Sequence, residues 1–126
     1  MIIWLKINLD GSKWWYRKTY LHRTNGPAVT TAIGTRYWFE RGDRHRLDGP
    51  SVMAANGDQI WEVRGLYHRT DGPAVMYHDG TYEYHVHGRR HRTNGPAVLH
   101  YNGQVEYWID GKQLSDYEKM FMMPAE

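Results

Sequence analysis

The chain has no cysteine, only two phenylalanines and five prolines, and no long apolar run. Without cysteine there is no disulfide framework and no thiolate metal site, and a reducing cytoplasm is the expected compartment. The opening MIIWLKINLD is broken by Lys6, Asn8 and Asp10. It is too short and too polar for a signal peptide or a membrane span, so a soluble chain with no membrane partner is expected. Charge of one sign is lacking as well. Sixteen Lys and Arg against fourteen Asp and Glu leave a net charge of +2, which excludes a polybasic tail for long nucleic acid.

What is abundant is glycine (13), tyrosine (10) and tryptophan (6), and these fall in a strict pattern. HRTNGPAV begins at His22, HRLDGPSV at His45, HRTDGPAV at His68 and HRTNGPAV again at His91, each 23 residues after the last. Twelve residues after each histidine comes a glycine (Gly34, Gly57, Gly80, Gly103), then a large aromatic (Trp38, Trp61, Tyr84, Tyr107), then another glycine (Gly42, Gly65, Gly88, Gly111). The register extends back to Gly11 and Trp15. Repeats of this length decide an architecture.

Each unit reads as strand, turn, strand, turn. Asp10-Gly11, Asn56-Gly57, Asp79-Gly80 and Asn102-Gly103 predict two-residue type I′ turns. QVEYWID alternates Val105, Tyr107 and Ile109 against Glu106, Trp108 and Asp110; TYEYHVH alternates Tyr82, Tyr84 and Val86 against Glu83, His85 and His87. Gly-Pro cannot continue a central ladder and predicts a corner before each Ala-Val or Ser-Val. Ile3, Leu5, Ile7 and Leu9 give the first strand an apolar face. LSDYEKMFMM predicts a short helix capped by Ser115 with Glu118 as reciprocal partner, and an apolar stripe of Leu114, Tyr117, Met120 and Phe121 that closes the last hairpin.

The unit YEYHVHGRRHRTNGPAVLHYNG resembles the membrane occupation and recognition nexus (MORN) repeat, also a 23-residue hairpin unit. The resemblance covers Gly11 to Gly111 in period and glycines. The corner departs from the usual His-Gly-x-Gly and is similar to a variant HRx[D/N]GPAV class of small phage and bacterial proteins. The resemblance implies scaffolding or dimerisation roles for such repeats, and its phage-type version implies a sponge that sequesters a host nucleotide signal, an anti-defence role in the host cytoplasm.

The repeated histidines His22, His45, His68 and His91 are expected to satisfy backbone groups at the corners, because a residue present in every copy builds the unit. A metal shared between copies is excluded by spacing: equivalent atoms two strands apart are roughly 9.5 Å from each other, whereas zinc ligands stand about 2.0–2.1 Å from the ion. His85 and His87 share one strand face and are expected on solvated surface. His-x-Thr recurs, but the second copy has Leu47 in place of threonine, and no nucleophile–base set or paired-carboxylate signature stands out. No catalytic residue, cofactor or metal is expected.

Arg23, Arg46, Arg69 and Arg92 form a ladder, thickened by Arg44, Arg89, Arg90 and Lys112. The aromatic row Trp15, Trp38, Trp61, Tyr84 and Tyr107 runs beside it, with further rings at Trp14, Tyr16, Tyr37, Phe39 and Trp108. Rings for stacking and guanidinium forks for phosphate suit a nucleotide; they equally suit a wet protein interface. Pairing with Asp48, Asp71 and other acids is the structural alternative for the ladder.

The expectation is therefore an all-β meander of about ten strands in repeated antiparallel hairpins with a short C-terminal capping helix. It forms one repeat domain over 1–126, with a capping hairpin at 1–21, four repeats at 22–113 and the helix at 114–126. The corners are expected along one edge and the aromatic row on one face. Function is expected to be non-enzymatic capture of an anionic, ring-containing small molecule, a nucleotide, by Arg23, Arg46, Arg69, Arg90, Arg92, Trp38, Trp61, Tyr84 and Tyr107. The alternative is a repeat scaffold for a protein partner. A single sheet with one short helix leaves aromatic surface uncovered, so a homo-oligomer is expected.

Overall fold

The computed structural model describes residues 2 to 121. The architecture is all-β, an antiparallel hairpin meander with one short C-terminal helix. The chain divides into two compact units, one running to Leu66 and the other from Tyr67.

In the first unit β1 (Ile3–Ile7) pairs antiparallel with β2 (Lys13–Arg17), with Leu5 opposite Trp15. From β2 a ladder of two-residue strands continues through Val29–Thr30, Arg36–Tyr37, Val52–Met53 and Gln59–Ile60. The second unit repeats the pattern with Val75–Met76, Tyr82–Glu83, Val98–Leu99 and Val105–Glu106. Small side hairpins branch from the ladder: Phe39–Glu40 with Asp43–Arg44, His85–Val86 with Arg89–Arg90, and Trp108–Ile109 with Lys112–Gln113.

The long strands expected at QVEYWID and TYEYHVH are thus each broken in two. The break falls at the aromatic row residue, Tyr107 or Tyr84, whose backbone bonds back to the corner: the His91 N–H donates to the Tyr84 carbonyl at 3.0 Å. In the first unit the His45 N–H donates to the Trp38 carbonyl at 3.0 Å. From Trp38 onward the row therefore marks a break between two short strands in each repeat, whereas Trp15 lies within β2.

The core is small and comes from the end of the motif. Ala28, Val29, Val52, Ala74, Val75, Ala97 and Val98 are the buried apolar residues. A small buried residue, alanine in three copies and Ser51 in the other, takes this place with backbone bonds to both neighbouring segments. The Ala97 N–H donates to Glu106 while its carbonyl accepts from Tyr84. Along TYEYHVH, Tyr82 and His87 are exposed, His85 is buried and Glu83, Tyr84 and Val86 are half-buried, so the two-face alternation is lost. His85 is buried, contrary to its expected place on solvated surface, because its Nε2 bonds Glu83 Oε1 at 3.0 Å; His87 is exposed as expected.

The turns differ from expectation in an informative way. At Asn56-Gly57 only the glycine has positive φ, 99°. The Gly57 N–H donates to the Ala54 carbonyl and the Ala54 N–H to the Asp58 carbonyl, so this is a three-residue loop of type I followed by a left-handed glycine, not type I′. The Asx side chain closes it: Asn56 Oδ1 accepts the Asp58 N–H at 2.9 Å, as Asp79 does for Thr81 and Asn102 for Gln104. Asp10-Gly11 follows the same pattern, with Asp10 Oδ1 accepting from Ser12.

Two-residue turns with positive φ at both positions lie elsewhere, at Arg41-Gly42, Arg64-Gly65, His87-Gly88 and Asp110-Gly111.

At the C-terminus, α1 covers Asp116–Lys119, shorter than 114–126, and residues 122 to 126 of that expectation lie outside the described residues. The capping box is present: Ser115 Oγ accepts the Glu118 N–H and Glu118 Oε1 accepts the Ser115 N–H, both at 3.2 Å. Tyr117, Met120 and Phe121 stay exposed rather than packing on the last hairpin. Polar contacts hold the helix there instead, with Lys119 Nζ 5.3 Å from the Tyr107 ring centroid and Lys112 Nζ 3.8 Å from Glu118. No helix among the described residues is long and apolar enough to cross a membrane.

Candidate functional site

Every motif histidine holds a turn 19 residues further on. Nδ1 of His22, His45, His68 and His91 accepts the backbone N–H of Arg41, Arg64, His87 and Asp110, at 2.9 to 3.0 Å. Each of these donors is a non-glycine residue at φ between 47° and 52°. A nitrogen that accepts carries no proton, so the tether needs the neutral ring. Burial, with the neighbouring His87 adding to it, holds the His68 pKa below the usual histidine value.

The motif arginine folds back over its own loop. Arg46 Nη1 donates to the Pro50 carbonyl at 3.1 Å and Nε to Asp48 Oδ1 at 3.1 Å. Arg23 makes the same pair with Pro27 and Asn25, and Arg69 with Pro73 and Asp71. One face of the guanidinium lies on the row aromatic: Arg23 Cζ is 4.3 Å from the Trp15 centroid, Arg46 4.0 Å from Trp38 and Arg92 4.0 Å from Tyr84. The other face lies on the motif glycine. A Cβ added to Gly49 would meet Arg46 Cζ at 2.7 Å, and one on Gly72 would meet Arg69 Cζ at 2.8 Å. Arg23, Arg46 and Arg92 are thus each sandwiched between a row aromatic and the motif glycine, while Nη1 on the guanidinium edge is bonded within the loop.

Arg92 is held more loosely. Its Nη1 donates to the Pro96 carbonyl at 3.2 Å, and Asn94 replaces the aspartate that grips Nε in the two preceding copies.

Consecutive loops frame one groove in each unit. The first, about 460 Å³, is lined by Arg23, Asn25, Trp38, Glu40, Arg46 and Asp48 among others. The second, about 440 Å³, is lined by Arg69, Asp71, Tyr84, Val86, His91 and Arg92 among others. Each therefore joins two motif arginines. They differ in charge: Glu40, which stands 3.6 Å from His45 in the first, is replaced by Val86 in the second. The second groove presents two arginines against the single carboxylate of Asp71.

Other expected site residues lie apart from these grooves. Arg90 sits between Glu83 (3.5 Å) and Glu106 (4.0 Å), over the Trp108 ring at 5.1 Å. Arg44 is tied to Glu62 at 3.0 Å and Lys112 to Glu118. Tyr107 lies beneath Lys119, and Trp61 is half-buried in the first unit.

The polar cluster of the second unit was not foreseen. Glu106 accepts from Trp108 Nε1 at 2.9 Å and bonds His100 Nε2 at 2.6 Å. The carboxyls of Glu83 and Glu106 are held below the usual range, the first chiefly by its hydrogen bond with His85 and the second chiefly by its bond with His100. In the first unit Glu62 is buried, and the one motif serine, Ser51, donates to it at 2.9 Å. Serine at the motif's alanine position, in HRLDGPSV alone, is the sequence signal that could have marked Glu62. Among the described residues no group of three or more His, Asp or Glu is placed to hold a metal ion. No family model matches this chain and no curated protein is significantly similar to it, so the reading of the grooves rests on their own geometry.

Proposed function

We propose that this protein is a non-enzymatic binder of a phosphate-bearing small molecule, a nucleotide, held in the grooves between consecutive motif loops. One observation carries the reading: each unit brings two motif guanidiniums to one groove, each lying on its own motif glycine, with Arg23, Arg46 and Arg92 also stacked on a row aromatic. A fixed fork loses little entropy on meeting an anion, and its in-plane N–H groups match phosphate oxygens. Grooves of about 450 Å³ fall within the roughly 300–1,000 Å³ range of small-molecule sites. The second groove, with Val86 in place of Glu40, is the stronger anion site. In this reading the nucleotide is captured and released unchanged, which is the behaviour of a cytoplasmic sponge that lowers the free level of a nucleotide signal.

A second reading, a scaffold for a protein partner, has its own support. The row aromatics in contact with arginine have a face already covered, which leaves less bare ring for a base to stack on. A thermal-shift titration with linear and cyclic nucleotides separates the two, because a ligand that binds only the native state raises the melting temperature. A rise with saturation is expected; a flat response across the panel sinks nucleotide capture and leaves the scaffold.

A further inference from the structure

We infer that the free edge of β1 is a self-pairing surface for a second copy of this chain. Going beyond the ligand reading, this rests on a different part of the molecule. At five residues, β1 and its neighbour β2 are the longest strands described, and among the described residues β1 has a strand partner on one side only. The direction of its open backbone groups follows from β2. The Trp15 N–H donates to Ala28 and its carbonyl accepts from His22, so Trp15 turns its backbone away from β1. Leu5, opposite Trp15, therefore turns its own N–H and carbonyl away from β2, and Ile3 and Ile7 do the same. Side chains are exposed here too: Trp4 is 44% accessible, Leu5 37% and Ile7 64%.

The strand Ile3-Trp4-Leu5-Lys6-Ile7 is complementary to itself when reversed. Antiparallel pairing about Leu5 sets Leu5 against Leu5 and Ile3 against Ile7 of the second copy, in the positions that exchange both backbone bonds. Trp4 then faces Lys6 of the second copy in the closer, non-hydrogen-bonded position, with the ammonium beside the indole. Pairing about Lys6 would instead set two ammonium groups directly opposite, which is unfavourable. An edge this long and apolar, with a single lysine, lacks the usual protection against pairing. Lys6 therefore disfavours that alternative register.

Size-exclusion chromatography with light scattering on the full chain, at high micromolar concentration, tests the inference. The parent is expected to run at the mass of two chains. Leu5→Pro removes an outward N–H that β2 does not use, so the variant should keep its β circular dichroism and run as one chain. Trp4→Lys should also give one chain, by setting lysine against Lys6, and adding Lys6→Glu should restore the dimer. That rescue decides the matter even if Leu5→Pro fails to fold. A monomeric parent overturns the inference, as does a dimer that persists in folded Leu5→Pro or in Trp4→Lys.

Discussion

Arg64 lies in the left-handed region at φ 51°, and its backbone N–H donates to Nδ1 of His45, 19 residues earlier, at 2.9 Å. Neither residue explains itself alone. Arginine is disfavoured at positive φ, and the histidine gives the turn a fixed acceptor that repays the strain. Relieving the strain without touching the tether is expected to stabilise the protein. Arg64→Asn or Arg64→Gly should raise stability by up to about 1 kcal/mol, read as a shift in the urea midpoint at unchanged slope.

Removing the acceptor should do the opposite. His22 is the most buried motif histidine, at 2% exposure, and His22→Ala leaves the Arg41 N–H without its partner. A loss of about 1–3 kcal/mol is expected. His91→Ala should likewise lower the melting temperature first and leave ligand affinity per folded molecule near that of the parent. Normal stability with abolished binding in His91→Ala would reverse the roles assigned here to histidine and arginine.

Arg92→Ala is the complementary change. The loss of a charge-assisted bond to phosphate is expected to cost about 1.5–3 kcal/mol of binding, roughly tenfold or more in Kd. The β circular dichroism should be retained. Isothermal titration with whichever nucleotide raises the melting temperature measures it. Because the second groove lacks the counterpart of Glu40, Arg92→Ala should cost more affinity than Arg46→Ala. Equal affinity in Arg92→Ala and the parent would remove the motif arginine from the site.

The stacked arginine makes a prediction about glycine. Gly49→Ala brings a methyl to within 2.7 Å of Arg46 Cζ, and the guanidinium, being the end of a flexible chain, will lift off the loop and off Trp38. The cost should match that of Arg46→Ala, and the double variant should be no worse than either single one, a non-additivity that a thermodynamic cycle reads directly. Gly95→Ala, with 3.2 Å to Arg92 Cζ, should be milder.

Acid should weaken the His68 tether within a definite window. The folded-state pKa of His68 lies below the ordinary value of 6.5, so the unfolded chain binds more protons between the two. Stability is therefore full above the ordinary histidine range and is lost as pH falls through the lowered value. Glu83 and Glu106 act lower down, since their depressed pKa values give stability that is lost as pH falls below 4.5. Urea midpoints followed against pH should fall in two stages, and His68→Asn should flatten the upper one.

Much of the fold was legible in the sequence because its signals are local. The 23-residue period, the Asx-Gly loops and the Ser115–Glu118 cap are read from residues within a few positions of each other. What escaped depends on contacts at a distance. Arg41-Gly42 and Arg64-Gly65 carry no Asn or Asp to announce a type I′ turn; the group that favours the turn is a histidine 19 residues away. The glycine of GPAV reads as a corner residue, whereas its hydrogen is the floor on which arginine lies. Alternation put His85 on a solvated face, whereas it is buried with its Nε2 on Glu83, a carboxylate that also faces Arg90.

The histidine tether also governs how such a chain can grow. A bond of fixed reach, thrown forward from each corner to the turn beyond, makes the sequence behave like a rack of evenly cut teeth. Deleting two or three residues anywhere between His45 and Arg64 pulls one tooth out of mesh and leaves an arginine strained without its acceptor. Excising a full 23 residues restores the mesh at once. Lengthening by whole copies is thus the easy change for this chain, and drift in copy length the hard one, which accounts for a register that runs without insertion from Gly11 to Gly111.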